Sequence, residues 1–591
     1  MTPPLTEYLW RFAEPIPEGT ALELQGWPQP LRQLLYNRGL RTALDVEEFL
    51  HPERVGLHDP FLLKDMEVAV DRVLRALRHE EHIAVYGDFD VDGLTAVALL
   101  LEVLESPSLQ GRVMSYLPHR NREGYGLNPN AIKGLAEKGV GLLITVDCGI
   151  GADDEIRLAS SLGMDVIVTD HHSVSKGLPP ALAVVNPRQD GCRYPFGELA
   201  GVGVAYKLAE ALFSRMWDLP EARRRLEPVL DLVALGTVAD LAPLVGENRL
   251  MVKAGLAEMR RGNRLGLRAL VSQAGWAGRT VDTDAISYGL APRLNAAGRM
   301  GDSRLSLEVL TCRDVEEAER LAADLEVTNR ERQTATVSAL NAAREELSQS
   351  FELPPAIVLV GDYPSGIVGL VANRLAEEYH RPAFVIEGGP GECRGSGRGV
   401  LGFDVVQTLA GASELLVRFG GHAQAAGFTV DRALIGDLKA YIQERAEGAG
   451  VEVRRELELE GALRAQDLGP SLFEMLTLLE PFGVGNRRPL FCSRGLQVRD
   501  ARVVGSGHLK LRLMDETGLT AAIGFGMGTE EYAFVRQGAL VDCAYVVGRN
   551  ERGGMVSYEM VLKDLMRLEE NVDARPSGAE ATTLKGRSPS S

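Results

Sequence analysis

The sequence predicts an α/β protein: a parallel-sheet domain joined by one long helix to a second α/β domain, followed by an OB-like β-barrel. Three observations lead there. Short apolar runs alternate with helical ones from Ile83 to about Leu244, as in an open parallel sheet. Asp314 to Leu347 sustains helical periodicity without Gly or Pro, and five β segments separated by turn residues follow Gly450. The expected divisions are 1–65 (helical region), 66–305 (parallel-sheet domain), 306–350 (connecting helix), 351–448 (second α/β domain), 449–566 (barrel) and 567–591 (disordered tail).

In order, residues 1–65 read as small helices with packing roles. Pro28 to Phe49 carries Leu31, Leu34, Leu35, Leu44 and Phe49 at helical spacing, and Met66 to Leu77 leads into the first strand. Ile83 to Tyr86, Val113 to Leu117, Gly141 to Val146, Asp165 to Val168 and Ala181 to Val185 read as strands with helices between. The long helix spans on the order of 50 Å at 1.5 Å per residue, and its dense Glu and Arg read as a solvated face. Ala356 to Val360, Gly366 to Glu378 and Ala383 to Ile386 form a second strand–helix–strand unit. Gly495 to Val504, His508 to Met514, Leu519 to Phe525, Ala539 to Val547 and Met555 to Leu562 are the barrel segments, a shape widely used to hold single strands. Beyond Glu570, Pro, Ser, Gly and Thr without apolar content indicate disorder.

Composition narrows the function classes. With 591 residues, 45% hydrophobic and 25% charged, the chain suits several soluble domains. Nothing at Met1 to Trp10 resembles a leader, and Glu102 and Glu105 interrupt the most apolar helix, so the expectation is a cytoplasmic protein with no membrane partner. Six scattered cysteines argue against a disulfide framework and a zinc site. A net charge of −18 places any nucleic-acid surface in local basic patches.

The chemistry concentrates at strand ends. Asp88, Asp90 and Asp92 alternate beyond Tyr86, where a continuing strand would crowd them on one side. A calcium loop is excluded, because its twelfth position is Leu99 rather than glutamate. Asp147 follows Val146, Asp170-His171-His172 follows Thr169, and Asp240 ends Leu235 to Ala239. In an open parallel sheet, ligands bind beyond the carboxyl ends of the strands. Separate strands delivering carboxylate or imidazole to one edge supply enough ligands for two divalent cations, and hard oxygen donors favour Mn2+ or Mg2+ over zinc. Adjacent residues at a strand end face opposite ways, so His171 and His172 are expected to have different jobs.

Asp170-His171-His172, with Tyr86 to Gly93, Val146-Asp147-Cys148-Gly149 and Gly236 to Asp240 in the same order, resembles the DHH phosphoesterase superfamily. Arg293 to Arg299 and Pro481 to Asn486 extend the resemblance over nearly the whole chain. It implies a two-metal, single-strand-specific 5′ to 3′ DNA exonuclease of repair and recombination. It implies Asp147 as bridging ligand, Asp90 on one metal, Asp92, His171 and Asp240 on the other, and Asp88 as ligand or orienting group. His172 is assigned to the scissile phosphate or leaving group, and Asp147, His172 and Asp92 form the expected catalytic set. Expected partners are single-stranded DNA, a single-strand-binding protein and a recombination helicase, with the chain a monomer. The rival readings are a phosphodiesterase for short oligonucleotides or cyclic dinucleotides and a non-catalytic replication scaffold.

Substrate residues are expected in three places. Pro118 to Gly126 offers Arg120 and Arg122 for phosphates and Tyr125 for a base. Arg394 to Gly399 and Gly420 to Gly427 bring Ser396, Arg398, Gly421 and His422 to a terminal phosphate, with Arg299 reaching it from the first domain. This segment resembles the DHH-associated substrate-binding domain, although Gly399 stands where such sequences often carry serine.

Overall fold

A computed structural model describes residues 8–120, 122–174, 177–349, 352–450, 455–505, 507–552 and 555–568. It resolves into two compact units, one holding residues 57–450 and the other combining residues 8–56 with residues 455–568. The sequence reading keeps 1–65 as one helical region, whereas the structure opens with a strand, Tyr8–Phe12 (β1), and assigns everything up to Gly56 to the second unit. Local periodicity shows that Leu31, Leu34 and Leu35 face a core; it does not show which core.

The first unit is built on five parallel strands: His82–Tyr86 (β2), Arg112–Tyr116 (β3), Val140–Val146 (β4), Asp165–Thr169 (β5) and Ala183–Val185 (β6), in the order β3-β2-β4-β5-β6. The direction of strand addition reverses between β2 and β4, which makes the crevice beyond their carboxyl ends the natural binding place. Register brings those ends level, because Tyr86 pairs with Tyr116 and Thr145, Val146 with Thr169, and Thr169 with Val185. Helices Val91–Leu104 (α1), Gly201–Phe213 (α2) and Leu230–Ala239 (α3) pack together in the main core, and every residue of α2 is buried. Ala291–Met300 (α4) follows in the same unit.

Val315–Ser348 (α5) is the long helix, at 34 residues. Beyond it, Ile357–Gly361 (β7), Ala383–Glu387 (β8), Glu392–Arg398 (β9), Leu416–His422 (β10) and Ala425–Asp431 (β11) form a sheet ordered β10-β11-β9-β8-β7, with helix Val368–Tyr379 (α6) beside β8 and β9. Only β7 and β8 are parallel. The two glycine-rich stretches therefore lie in antiparallel strands and their turn. In the first stretch two glycines admit aromatic rings, since a β-carbon on Gly395 would fall 2.3 Å from Phe428 and one on Gly397 2.6 Å from Phe384.

In the second unit β1 pairs in parallel with Arg455–Leu459 (β12). Gly461–Ala462 (β13) leads into the barrel strands Phe491–Val504 (β14), His508–Met514 (β15), Leu519–Gly524 (β16), Leu540–Arg552 (β17) and Met555–Arg567 (β18). Pairing runs β14-β15-β16-β18-β17 and closes through β14–β17, the five-stranded OB topology the segment count implied. The expected tail lies outside the described residues beyond Leu568. No helix among the described residues is long and apolar enough to cross a membrane, and all six cysteines are free.

Candidate active site

Each strand of the first sheet except its edge strand β3 hands over a polar side chain as it ends. Beyond β2, Asp90 is the N-cap of α1 and its Oδ1 accepts from Gly93 N at 3.1 Å. Asp92 is therefore a first-turn helical residue, not the third tooth of a strand. Alternation brought the three acids together in the sequence; the helix start brings them together in space. Asp240 likewise caps the C-terminus of α3 and does not come from a strand.

Asp147 follows β4 at φ 57°, a left-handed conformation that costs a non-glycine residue about 1–2 kcal/mol. The conformation aims its carboxylate across the crevice. His171 Nε2 lies 3.1 Å from Asp147 Oδ1, 3.8 Å from Asp92 and 4.0 Å from Asp240. Ligand atoms of Asp88, Asp90 and Asp147 lie within 4.8 Å of one another, as do those of Asp92, His171 and Asp240 and those of Asp147, His171 and His172.

Backbone groups hold this arrangement. Asp92 accepts from Gly201 N at 2.6 Å and Val202 N at 2.8 Å, so its carboxylate also receives the N-terminus of α2. A β-carbon on Gly201 would fall 2.6 Å from Asp147 Cβ, and one on Gly236 would fall 2.9 Å from Asp92 Oδ1. Only glycine lets α2 and α3 approach so closely.

The charges do not balance by themselves. Burial, then neighbouring carboxylates, pushes Asp88, Asp92 and Asp147 well above the usual range, and Asp240 rises to about 7 from burial and the charge of Asp90. Burial takes His171 down to about 4. Asp88 Oδ1, Asp147 Oδ1 and His171 Nε2 are buried without a hydrogen bond among the described residues. Orphaned carboxylate oxygens and an imidazole nitrogen converging in three overlapping groups fit a pair of hard divalent cations. Cys148, next to Asp147, points its thiol at Tyr86 O and supplies no soft ligand.

The histidines do not face opposite ways. β5 ends at Thr169, two residues before them, and their rings lie 4.6 Å apart. Their partners differ instead. His172 Nδ1 lies 2.7 Å from buried Asp170; burial pulls its pKa down, but the Asp170 hydrogen bond and charge prevail and lift it to about 9. Asp170 also accepts from Ile150 N, His171 N and His172 N. Buried Asn186 donates to His172 O at 2.9 Å and accepts from Arg188 N at 2.8 Å, and the charge of Arg188 acts on His171 and Asp240. The sequence reading gives Asp170, Asn186 and Arg188 no role: Asp170 is visible only as a motif residue, and Asn186 and Arg188 only by their place just beyond a strand.

Around the carboxylates stands a cationic group. Arg120 lies 4.8 Å over the Phe89 ring and acts on Asp88 and Asp90. Burial, then repulsion from Arg120, Arg332 and Arg398, brings Arg299 down to about 9. Arg398 Nη1 donates to Ser396 Oγ at 2.8 Å, and Arg299 Nη1 to Gly366 O at 3.3 Å. Arg332 belongs to α5, read from sequence as carrying a solvated charged face; its Nε is buried without a hydrogen bond among the described residues. Tyr125 is half-exposed, 6.1 Å from the His172 ring, and donates to Asp147 O at 3.4 Å. Arg122, Gly421 and His422 are exposed, and among the described residues no hydrogen bond or ion pair joins them to these groups.

The DHH family N-terminal domain matches residues 82–237, the DHHA1 domain residues 354–448 and the RecJ OB domain residues 459–564. The single-stranded-DNA-specific exonuclease RecJ of Dickeya dadantii (strain 3937) is 35% identical over 571 residues, covering 92% of this chain and 96% of that protein. The chain belongs to the RecJ family. RecJ of Bacillus subtilis (strain 168) is 36% identical over 540 residues, 90% of this chain and 67% of that protein. The crystal structure of RecJ from Thermus thermophilus in complex with Mn2+ superposes with a TM-score of 0.80 at 33% identity, over 95% of this chain and 80% of that one. The three RecJ modules fall on the parallel-sheet domain, the mixed-sheet domain and the barrel described above.

Proposed function

We propose that this protein is a metal-dependent exonuclease that removes nucleotides from the 5′ end of single-stranded DNA. One observation carries the reading: carboxylates and imidazole from four chain segments converge, within 4.8 Å in each group, at the sheet edge where arginines from further elements also gather.

Asp88, Asp90 and Asp147 would hold one Mn2+ or Mg2+ ion and Asp92, His171 and Asp240 the other, with Asp147 shared. Its Oδ1 stands 3.1 Å from His171 Nε2 while it belongs also to the Asp88 group. When bound, such an ion pair activates water and neutralises charge on the phosphodiester. The chain's own residues do the rest. His172, oriented through Nδ1 by Asp170, presents Nε2 to a phosphate or leaving oxygen and donates to it when the ring is protonated. Arg120, Arg299 and Arg398 grip the terminal phosphate, and Ser396 orients Arg398. The Tyr125 ring offers a base a stacking face beside His172. The OB barrel offers a second surface for the strand.

The deciding experiment is digestion of single-stranded DNA labelled at either end, with Mn2+ and with chelator. Release of the 5′ label first, abolished by chelator, is the expected outcome. Release of the 3′ label first, or equal attack on duplex, overturns the reading.

A further inference from the structure

Helix α3 ends in a turn that ordinarily calls for glycine. Asp240 caps the helix at φ −75° and Leu241 follows at φ 61°. Two backbone hydrogen bonds close the turn, Leu241 N–H to Val238 O at 3.3 Å and Ala242 N–H to Thr237 O at 3.2 Å. In this helix stop the left-handed residue is usually glycine, because a β-carbon is crowded there. Among the described residues, the other non-glycine residues at positive φ are Asp65, Glu80, Gln110, Asp147 and His380. All five are polar, and Leu241 alone is apolar.

Burial does not compensate for the strain. Leu241 is 64% exposed, while Ala242 and Leu244 beyond it are buried. Strained backbone and an apolar side chain held in water both lower stability, and helix termination needs neither, since glycine would end α3 more comfortably. What distinguishes the position is its neighbour: the Asp240 carboxylate shares a group with Asp92 and His171.

We infer that Leu241 is a substrate-contact residue, whose side chain packs against the apolar face of the nucleobase beside the scissile phosphate. Leu241 is exposed on the turn that closes α3, immediately after Asp240. A base offers an apolar face whatever its sequence, so the contact suits an enzyme that reads no sequence. The inference rests on the nuclease reading above.

Two variants test it. Leu241→Gly relaxes the backbone, and Leu241→Asn keeps a side chain that tolerates the turn without being apolar. Both should fold with a Tm at or above that of the unaltered protein and with unchanged Mn2+ half-saturation. Their kcat/KM on single-stranded DNA should fall on the order of tenfold, chiefly through KM. Binding of a fluorescent oligonucleotide in chelator, measured by anisotropy, should weaken alike. On a strand with abasic terminal nucleotides, variants and unaltered protein should behave alike. Unchanged kcat/KM and binding overturn the inference, as does an undiminished loss on the abasic strand. A shifted Mn2+ half-saturation also overturns it, because Leu241 would then be holding Asp240. Failure of the unaltered protein to cleave single-stranded DNA with Mn2+ sinks the nuclease reading instead, before any substitution is made.

Discussion

Asp170 shows how one residue governs its neighbours without joining either cation group. It is fully buried, yet its pKa stays below the usual carboxylate range: burial pushes upward, while His172 and the backbone N–H groups of His172 and Ile150 pull it down. Asp170→Asn keeps the shape and removes the charge that orients His172. The expected result is a folded protein with activity reduced roughly 10- to 100-fold, the usual cost of losing an orienting partner. Circular dichroism and steady-state kinetics check it, and near-normal kcat/KM would remove Asp170 from the mechanism. The sequence displayed Asp170 in a motif and still concealed its role, because a strand end is compatible with ligand, cap or support. Only its hydrogen bonds chose.

At the scale of elements, α2 matters more than its composition implies. Its sequence, Gly-Val-Gly-Val-Ala-Tyr-Lys-Leu-Ala-Glu-Ala-Leu-Phe, reads as an ordinary apolar helix. In the structure its first N–H groups hold Asp92 and Gly201 lies against Asp147. Buried Lys207 anchors its middle, 3.0 Å from both Glu210 and Glu247. Gly201→Val should displace Asp147 at a cost of about 1–3 kcal/mol from overpacking and abolish the rise in Tm that Mn2+ gives. Differential scanning calorimetry with and without Mn2+ reads both effects, and a preserved Mn2+ shift would show that α2 does not set the ligand geometry. The long helix teaches the converse. Its existence and span were legible from unbroken periodicity, but dense charge hid Arg332, because a half-buried cation and a solvated one look the same in sequence.

Across the whole molecule the site is a reservoir of repulsion. Asp240 titrates at about 7 folded against 3.8 unfolded, so its contribution to stability is present below 3.8 and lost as pH rises through 7. His172, raised to about 9 from 6.5, loses its contribution between those values, and the raised Asp88, Asp92 and Asp147 act in the same direction. His171, lowered to about 4, opposes them only below 6.5. With chelator present, the Tm of the unit holding the parallel sheet should fall by several degrees between pH 7 and 9, and Mn2+ should flatten that fall. A chelated protein with a level Tm over this range would mean that the carboxylates do not repel as the geometry implies.

The sequence by itself determined the strand-and-helix order, the long helix, the five barrel strands and which acids and histidines end chain segments, because periodicity and turn chemistry are local. Tertiary structure decided that residues 8–56 belong with the barrel, that Asp90, Asp92 and Asp240 arrive on helix ends, that both glycine-rich stretches lie in strands with Gly395 and Gly397 making room for Phe428 and Phe384, and that the Arg332 Nε turns inward. Those facts depend on which surfaces meet, and contact between segments hundreds of residues apart leaves no mark on the pattern of either one.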